Sequence, residues 1–384
     1  MDPQTPSSDS ATPSAAAAAA TTAVTNRATR FLAACAGQPV DTTPIWIMRQ
    51  AGRYLPEYQQ TRKKAGDFLT LCKTPELACE VTLQPTVRLQ VDAAILFSDI
   101  LIPLEAMGLP LTFTEEGPKV APVRSAEEIA ALRIPAAEDC QFVMDAVRLI
   151  RRELGGLVPL IGFAGAPFTM LTYAVEGHTG KQFVATKRML FGAPQVAHAL
   201  LDKITQTTLN YLRGQVAAGA QVLQLFDSWV GILSREDFAE FAAPYVDRLL
   251  RELRPLGVPL IYFANGGGTL LEQVGKLPAD VYALDWRTPI SVARQRLGIT
   301  QPDDRRAVQG NLDPLTLLGP VDALERRVRN ILSDAPARGH IFNLGHGIVP
   351  ETPVAHAQAL CELVHQYGRR PGSEQSSAPT SPTR

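Results

Sequence analysis

Short apolar runs recur along this chain, and each one ends at polar or glycine residues before a helix-length stretch follows. The runs occupy residues 45–48, 93–97, 158–163, 222–226, 259–264, 281–284, 307–308 and 341–344. Between them, apolar residues spaced by three and four positions predict helices over residues 75–90, 193–218, 235–253 and 353–367. Strands that are apolar throughout and alternate with helices indicate a parallel sheet that is buried on both faces.

The number of these repeats predicts an α/β protein built as a single (β/α)8 TIM barrel. Strand–helix units spread over about 330 residues fit such a barrel with insertions, and a doubly wound open sheet is the alternative. Residues 108–122 predict a β-hairpin insertion, and residues 125–132 predict a short helix. Arg, Asp, Tyr, Asn, Gln and His cluster at the carboxyl ends of the apolar runs, which is the end of a barrel where active sites lie.

Composition separates the barrel from two polar ends and excludes several classes of function. Residues 1–25 and 369–384 are rich in Ser, Thr, Pro and Ala, so we predict disordered tails around a barrel of residues 26–368. The first tail lacks a basic region and carries Asp2 and Asp9, which argues against a signal peptide. A net charge of −1 gives no global field that favours nucleic acid or an acidic membrane. No apolar run approaches the ~18–20 residues of a membrane span.

The cysteines are typical of a protein from a reducing compartment. They are odd in number and scattered, at positions Cys35, Cys72, Cys79, Cys140 and Cys361. None forms a CxxC pair, which argues against a disulfide framework and against a structural zinc site. We therefore predict a cytoplasmic protein without a bound metal.

The stretch PIWIMRQAGRYLPEY, residues 44–58, carries two arginines directly after a predicted buried strand. Arg49 and Arg53 are four positions apart, and Gly52 between them lets the backbone turn where a side chain would obstruct it. Guanidinium groups are planar, forked donors that match carboxylates. The pair predicts a mouth for an anionic small molecule, and the alternative is two surface arginines in a strand-to-helix loop.

Four further strand ends carry side chains suited to binding or catalysis. Asp99 in ILFSDIL is either a helix cap or ion-pair partner, or a carboxylate in the mouth. Tyr173 in GFAGAPFTMLTYAVEG is either a core residue or a hydrogen-bonding phenol in a loop over a ligand. Asp227 and Ser228 close the strand in LQLFDSW. His346 in NLGHG is either a capping residue or a ligand contact, and its two glycine neighbours predict an exposed imidazole.

These motifs, in this order, resemble the uroporphyrinogen decarboxylase family. The resemblance rests on RQAGRYLPEY, FSDI, TY followed by EG, and NLGHG, and it extends from about residue 30 to residue 367. Many family members continue after EG with further glycines, whereas this chain has His178 and Thr179. The resemblance implies a cofactor-independent carboxy-lyase that removes the four acetate carboxyl groups of uroporphyrinogen III as CO2, giving coproporphyrinogen III. It also implies a homodimer whose active-site mouths face each other.

The resemblance further implies roles for individual side chains. The substrate contacts it implies are Arg49, Gln50, Ala51, Gly52, Arg53, Asp99, Tyr173, Ser228 and His346. Of these, Asp99, Arg49, Tyr173 and His346 are the implied catalytic residues. A pyrrole protonated at a ring carbon accepts the electrons of the departing carboxylate, so the tetrapyrrole substrate serves as its own electron sink. Asp99 would stabilise the charge that develops on the pyrrole nitrogens. The proton donor stays open between Arg49, Tyr173, His346 and a bound water.

Two other functions fit parts of the pattern. Related barrels transfer methyl groups between corrinoid proteins and thiols with a zinc ion held by an HxC motif and a later cysteine, and no HxC motif occurs here. A barrel that binds a tetrapyrrole without turnover, as a sensor or carrier, is the second alternative. Only an assay separates that alternative from a decarboxylase.

Overall fold

A computed structural model of the chain describes residues 27–114, 117–178, 182–301 and 303–369. Within these residues, seven parallel strands form one curled sheet. The strands of this sheet are β1 (Ala94–Ile95), β4 (Leu160–Gly165), β5 (Val222–Asp227), β6 (Leu260–Ala264), β7 (Val281–Ala283), β8 (Ala307–Gln309) and β9 (His340–Ile341). Each strand lies beside the next one along the chain, which is the neighbour order of a barrel and not of a doubly wound sheet. The prediction of a (β/α)8 barrel is confirmed.

The eighth strand position is held by residues 44–48, which close the gap between β9 and β1. On one side, Phe342 N–H donates to the Pro44 carbonyl over 2.8 Å, and on the other, Asp92 N–H donates to the Ile45 carbonyl over 2.7 Å. The segment has only an isolated parallel bridge, between Ile45 and Phe342. Pro44 has no N–H, and the amide of Ile45 donates to the Asp92 carboxylate over 2.9 Å. Side chains therefore replace part of a regular ladder here.

Helices cover the outside of the barrel. Residues 27–35 form α1. The others are α2 (Pro56–Ala65), α3 (Phe68–Lys73), α4 (Pro75–Arg88), α5 (Ile102–Ala106), α6 (Ala126–Ala131), α7 (Gln141–Leu154), α8 (Pro167–Glu176), α9 (Val184–Gly192), α10 (Pro194–Ala218), α11 (Arg235–Phe241), α12 (Ala243–Leu253), α13 (Leu271–Val274), α14 (Ile290–Arg296), α15 (Val321–Asp334) and α16 (Val354–Tyr367).

Three of the four long helices follow the predicted bounds closely, and the fourth is wrong. The predicted helix over residues 235–253 is divided at Ala242, whose φ of −122° and ψ of −56° leave the helical region. Pro244 lies in the first turn of α12. Because proline lacks an N–H and its ring clashes with a preceding carbonyl, a helix cannot run through this position undisturbed.

The insertion after the second barrel strand has the predicted form. Strands β2 (Leu111–Thr114) and β3 (Gly117–Val120) pair antiparallel as a hairpin. The predicted short helix is α6, and Ser125 caps it by accepting the amide hydrogen of Glu128, whose side chain in turn accepts from the Ser125 amide. This reciprocal capping satisfies two amides that a short helix would otherwise leave unpaired.

The apolar interior has two parts. The larger one fills the barrel and the layer between sheet and helices, and the smaller one packs residues 45–58 against α4, α15 and α16. All five cysteines are buried thiols without a disulfide. No helix among the described residues is long and apolar enough to cross a membrane.

The predicted tails lie outside the described residues, apart from Arg369. That residue forms an isolated antiparallel bridge with Thr42. The division into a barrel and two disordered tails stays a prediction.

Candidate active site

Arg49 sits in a backbone conformation that the sequence did not predict. Its φ is +64°, in the left-handed region that non-glycine residues seldom adopt. The turn that holds it is closed by the Gln50 amide, which donates to the Ile47 carbonyl over 2.8 Å. Arg49 is exposed at the carboxyl end of the barrel. Left-handed strain of this kind is often retained where it aims a functional side chain.

Gln50 anchors this loop from the inside. Its side chain is 1% exposed; Oε1 accepts from the Ile47 amide at 3.1 Å, and Nε2 donates to the Ala93 carbonyl at 3.1 Å. Gly52 is placed as predicted, because a Cβ there would lie 2.9 Å from the Arg49 carbonyl oxygen. Ala51 and Gly52 are half-buried. The loop thus uses Gln50 to fix the backbone that carries the two arginines.

The NLGHG motif braces the Arg49 loop from the neighbouring strand end. The side-chain oxygen of Asn343 accepts the amides of Met48, at 2.9 Å, and of Leu344, at 2.7 Å. The Ile348 amide donates to the Met48 carbonyl at 2.9 Å. A Cβ on Gly347 would lie 2.9 Å from the Cγ atom of Arg49, so this glycine gives room to the Arg49 side chain in its present position. The two motifs form one structural unit.

His346 is half-buried, not exposed as its glycine neighbours suggested. Gly345 packs against the next strand end, where an added Cβ would lie 2.9 Å from the Asp285 carbonyl carbon. The imidazole meets the ring of Phe263 edge-on, with centroids 6.4 Å apart. Burial, together with the positive charges of Arg49 and Arg287, lowers the pKa of His346 to about 4. The imidazole is therefore neutral at neutral pH.

Asp99 follows β1 and is held by its own chain. Its Oδ1 atom accepts the Leu101 amide over 2.8 Å. Burial raises the pKa of Asp99 to about 6, while the Leu101 amide and the positive charge of Arg49 oppose the rise. Among the described residues, no cation forms an ion pair with this carboxylate. A carboxylate with one donor and free acceptor capacity is suited to receive a ligand N–H.

Tyr173 lies on the helix that follows β4, within electrostatic range of Asp99. It lies on α8, which starts at Pro167, so the predicted loop over a ligand is wrong at this position. Burial, together with the negative charge of Asp99, raises the pKa of Tyr173 to about 12. The ring packs edge-on against Trp229, with centroids 6.0 Å apart. The phenol keeps its proton at neutral pH and can donate it in a hydrogen bond.

Ser228 follows β5 and lies between Asp227 and Trp229, two residues that are each held by hydrogen bonds to Thr169. Asp227 is fully buried, and the Trp229 amide donates to the Thr169 hydroxyl oxygen over 3.1 Å. The Ser228 carbonyl accepts the side-chain amide of Asn265 at 3.0 Å. Ser228 itself is half-buried. Ser228 directly precedes Trp229, whose ring packs against Tyr173.

Arg49 links three of the predicted catalytic side chains, because its charge acts on the pKa values of Asp99, Tyr173 and His346. Asp99, Tyr173 and His346 therefore lie within electrostatic range of Arg49, although the four residues come from four separate strand ends. Arg53 stands apart from them on the rim, exposed. Its carbonyl accepts from Gln59 at 2.6 Å. Within the part of the chain that the structure describes, its guanidinium has no carboxylate partner.

Arg287 is a cation at this end that sequence reasoning missed. Its guanidinium lies over the Trp286 ring, 4.1 Å from the centroid, and forms an ion pair with Asp285 at 3.2 Å. The positive charge of Arg287 contributes to the lowered pKa of His346. The available signal was a cation two residues after the aspartate in LDWR, at the end of β7. Arg287 extends the positive rim that Arg49 and Arg53 begin.

Comparison with known proteins assigns the family. A family model described as uroporphyrinogen decarboxylase (URO-D) matches residues 26–367. The chain belongs to the uroporphyrinogen decarboxylase family. It is 53% identical over 338 residues to the uroporphyrinogen decarboxylase of Syntrophotalea carbinolica, covering 88% of this chain and 97% of that one. It is also 53% identical over 344 residues to that of Sorangium cellulosum, with 88% and 97% covered.

Solved structures share the fold at much lower identity. A methyltransferase from Methanosarcina mazei superposes with a TM-score of 0.74 and 20% identity, covering 89% of this chain and 98% of that one. A putative vitamin-B12-independent methionine synthase from Listeria monocytogenes gives a TM-score of 0.52 at 13% identity, with 85% and 96% covered. At such identities the likeness concerns the fold alone. Among the described residues, no group of three or more His, Cys, Asp or Glu side chains is placed to hold a metal ion.

Proposed function

We propose that this protein is a uroporphyrinogen decarboxylase, which removes the four acetate carboxyl groups of uroporphyrinogen III as CO2 and yields coproporphyrinogen III. The observation that carries the proposal is that Asp99, Tyr173 and His346 lie within electrostatic range of Arg49 at the carboxyl end of the barrel. Identity of about half over nearly the full length of named relatives supports the same reaction.

The rim supplies charge complementarity to a polyanionic substrate. Arg49 and Arg53 follow the first barrel strand and Arg287 follows β7, all at the carboxyl end of the barrel, and each guanidinium can hold a carboxylate through paired N–H donors. Arg49 and Arg53 have no carboxylate partner among the described residues, so they retain donors for a ligand. The propionates and acetates of the tetrapyrrole are the carboxylates that we assign to this rim.

Asp99 supplies the fixed negative charge that the reaction needs. Decarboxylation requires that the pyrrole become an iminium, which places positive charge near the ring nitrogens. With a pKa of about 6, Asp99 is mostly ionised at neutral pH and can accept pyrrole N–H groups. A preformed carboxylate in a half-buried site stabilises that charge without reorganising at the moment of reaction.

In our proposal, the proton that adds to the pyrrole carbon comes from bulk solvent and is relayed by a bound water, because water itself is a weaker acid than a phenol or a guanidinium. His346 is neutral at neutral pH, because its pKa is about 4, and it cannot store the proton. Tyr173, with a pKa of about 12, is a weak acid, and a guanidinium is weaker still. The roles that we assign to Tyr173 and His346 are hydrogen bonds that orient substrate and water.

The decisive experiment mixes the purified protein with uroporphyrinogen III under anaerobic conditions and follows the loss of carboxyl groups by mass. The expected result is stepwise formation of a product with four fewer carboxyl groups, with and without a metal chelator. Binding without any loss of carboxyl groups would favour a tetrapyrrole carrier. Activity that disappears with chelator and returns with zinc would contradict a metal-independent reaction.

We propose, further, that the protein acts in the cytoplasm as a homodimer with facing mouths, as the family resemblance implies. Helix α9 packs beside the site through the Phe183–Trp229 contact at 5.1 Å, and it exposes Val184 by 52% and Phe191 by 66%. Exposed apolar side chains of this size next to a mouth are suited to a subunit contact. Sedimentation of wild type and of Phe191→Asp tests this, and a dimer unaffected by the change would place the contact elsewhere.

A further inference from the structure

Asp227 is a buried carboxylate that the proposed chemistry does not use. It ends β5 with 0% exposure. Its Oδ1 atom accepts the Thr169 hydroxyl at 2.7 Å, and its Oδ2 atom accepts the Tyr262 hydroxyl at 2.8 Å. Burial raises the pKa of Asp227 to about 6, and these two hydroxyls oppose the rise. Within the described residues no cation forms an ion pair with it.

Thr169 connects this carboxylate to the site. Its hydroxyl donates to Asp227, and its oxygen also accepts the Trp229 amide at 3.1 Å. Thr169 and Tyr173 are four residues apart on α8, so they lie on the same face of that helix. The hydroxyl of one threonine therefore joins the first turn of α8 to the segment after β5.

We call the hydrogen bonds from Thr169 to Asp227 and from the Trp229 amide to Thr169 the junction, and two side chains of the proposed site depend on it. Ser228 lies between Asp227 and Trp229, which are both bonded to Thr169. Trp229 packs edge-on against Tyr173 at 6.0 Å and against Phe183 at 5.1 Å, so the indole fills the space beside the phenol. The Ala166 amide adds a backbone bond to the Phe226 carbonyl at 2.9 Å, just before the helix begins.

We propose that Thr169 and Asp227 are positioning residues that set Tyr173 and Ser228 against the tetrapyrrole. The inference rests on the proposed function, because it assigns these two side chains to substrate contact. An apolar pair of the same shape would stabilise a core at least as well as a desolvated carboxylate without a counter-ion. A contribution to stability therefore does not explain why a carboxylate lies here. The better explanation is that Asp227 orients the two hydroxyl groups that donate to it, those of Thr169 and Tyr262.

The variant that isolates the junction is Thr169→Val, which keeps shape and removes the hydroxyl. Thr169→Ser keeps the hydroxyl, and Asp227→Asn removes the charge while leaving one acceptor. The matched control is Thr172→Val on the same helix. Thr172 is also buried, and among the described residues its hydroxyl bonds only to the Phe168 carbonyl of its own helix, at 2.9 Å.

We expect Thr169→Val to lower kcat by ~10- to 100-fold, the loss that a small misplacement of reacting groups produces. KM should change by less than about threefold, because the rim arginines that hold the carboxylates are untouched. Thr169→Ser should restore most of kcat, and Thr172→Val should leave it within about twofold. Equal losses in Thr169→Val and Thr172→Val, or no loss in either, would overturn the proposal.

A second readout does not depend on activity. The chain has three tryptophans, Trp46, Trp229 and Trp286, so protein labelled with 5-fluorotryptophan gives resonances that Trp229→Phe assigns. The Trp229 resonance should shift in Thr169→Val and Asp227→Asn and stay in place in Thr172→Val. An unmoved Trp229 resonance in both site variants would overturn the proposal. If wild type shows no decarboxylation, the proposed function fails, while this spectrum still decides whether the junction positions Trp229.

Discussion

Asp92 and Asp99 lie on either side of the short strand β1, at opposite ends of the barrel, and their surroundings differ. Asp92 is fully buried at the amino end, where Arg30 and His365 each contact it at 2.7 Å and the Ile45 amide donates at 2.9 Å. Asp99 at the carboxyl end receives the Leu101 amide alone among the described residues. One carboxylate is saturated with partners, and the other keeps acceptor capacity.

The difference separates a structural role from a chemical one. Asp92 joins α1, the segment before Arg49 and the last helix, so its partners come from both ends of the described chain. A paired buried charge is costly to break, whereas a desolvated charge with few partners is a marker of a functional site. We therefore expect substitutions at the two aspartates to affect different measurements.

The largest effect is expected for Asp92→Ala. Removing this carboxylate leaves the Arg30 guanidinium and the Ile45 amide without a buried acceptor, although Arg30 keeps Asp41 at 2.6 Å. Breaking a buried ion pair of this kind costs roughly 3–5 kcal/mol of unfolding free energy. Denaturant unfolding measures it. A stability within about 1 kcal/mol of wild type would mean that the amino-end network is not a structural anchor.

Asp99→Asn is expected to do the reverse, with loss of turnover and no loss of stability. By analogy with removing one oxyanion-hole donor, we expect ~2.7–4 kcal/mol of added barrier, or roughly 10²–10³ in kcat. Binding of uroporphyrinogen, measured separately, should persist. A rate within a few-fold of wild type would remove Asp99 from the catalytic role.

The stability of Asp99→Asn tests whether the pKa of Asp99 is raised from 3.8 to about 6 in the folded protein. A carboxyl group with a raised pKa favours folding when protonated, and this contribution is lost as pH rises through 6. The ionised form at pH 7 is therefore destabilising, by up to about 3 kcal/mol. The variant should be more stable than wild type at pH 7, and the gain should disappear near pH 4.

The barrel and the loop motifs were predictable from the sequence because they depend on local patterns. Continuous apolar runs mark strands, and Gly52 was expected where the backbone turns. The bond between Asn343 and Met48 joins residues 295 positions apart, and that between Thr169 and Asp227 spans 58. No local pattern encodes such pairs.

The two errors at the site have different physical causes. His346 was expected to be exposed because glycines flank it, yet those glycines let the side chain of Arg49 and the backbone of Asp285 approach closely, and the imidazole is half-buried. Tyr173 was expected in a loop, but Pro167 at the first turn starts a helix instead. The positive φ of Arg49 had no sequence signal, because arginine shows no preference for it.

Arg53→Ala is expected to have an intermediate effect and extends the comparison to the rim. The side chain is exposed, so its loss should leave the unfolding free energy within about 0.5 kcal/mol of wild type. A hydrogen bond to a charged group contributes ~1.5–3 kcal/mol, so substrate affinity should fall by roughly 10- to 100-fold. Arg152→Ala, whose side chain is 73% exposed on α7, is the matched control. A lower thermal midpoint with unchanged affinity would make Arg53 a structural residue.

The smallest effect is expected from pH, and it tests whether Asp99 acts as the ionised group. With a pKa of about 6, its carboxylate fraction falls about tenfold for each unit below that value. We therefore expect kcat/KM to be flat near pH 7–8 and to fall about tenfold by pH 5. His346 stays neutral down to about pH 4, so it does not contribute to the fall in kcat/KM between pH 7 and pH 5. The His346→Gln variant should therefore show the same fall. Asp99→Asn should lose this fall, because the group that titrates is gone. If kcat/KM of Asp99→Asn fell with the same midpoint and slope below pH 7, the titrating groups would be the carboxylates of the substrate. The functional difference between Asp92 and Asp99 would then be supported only by the reduced rate of Asp99→Asn.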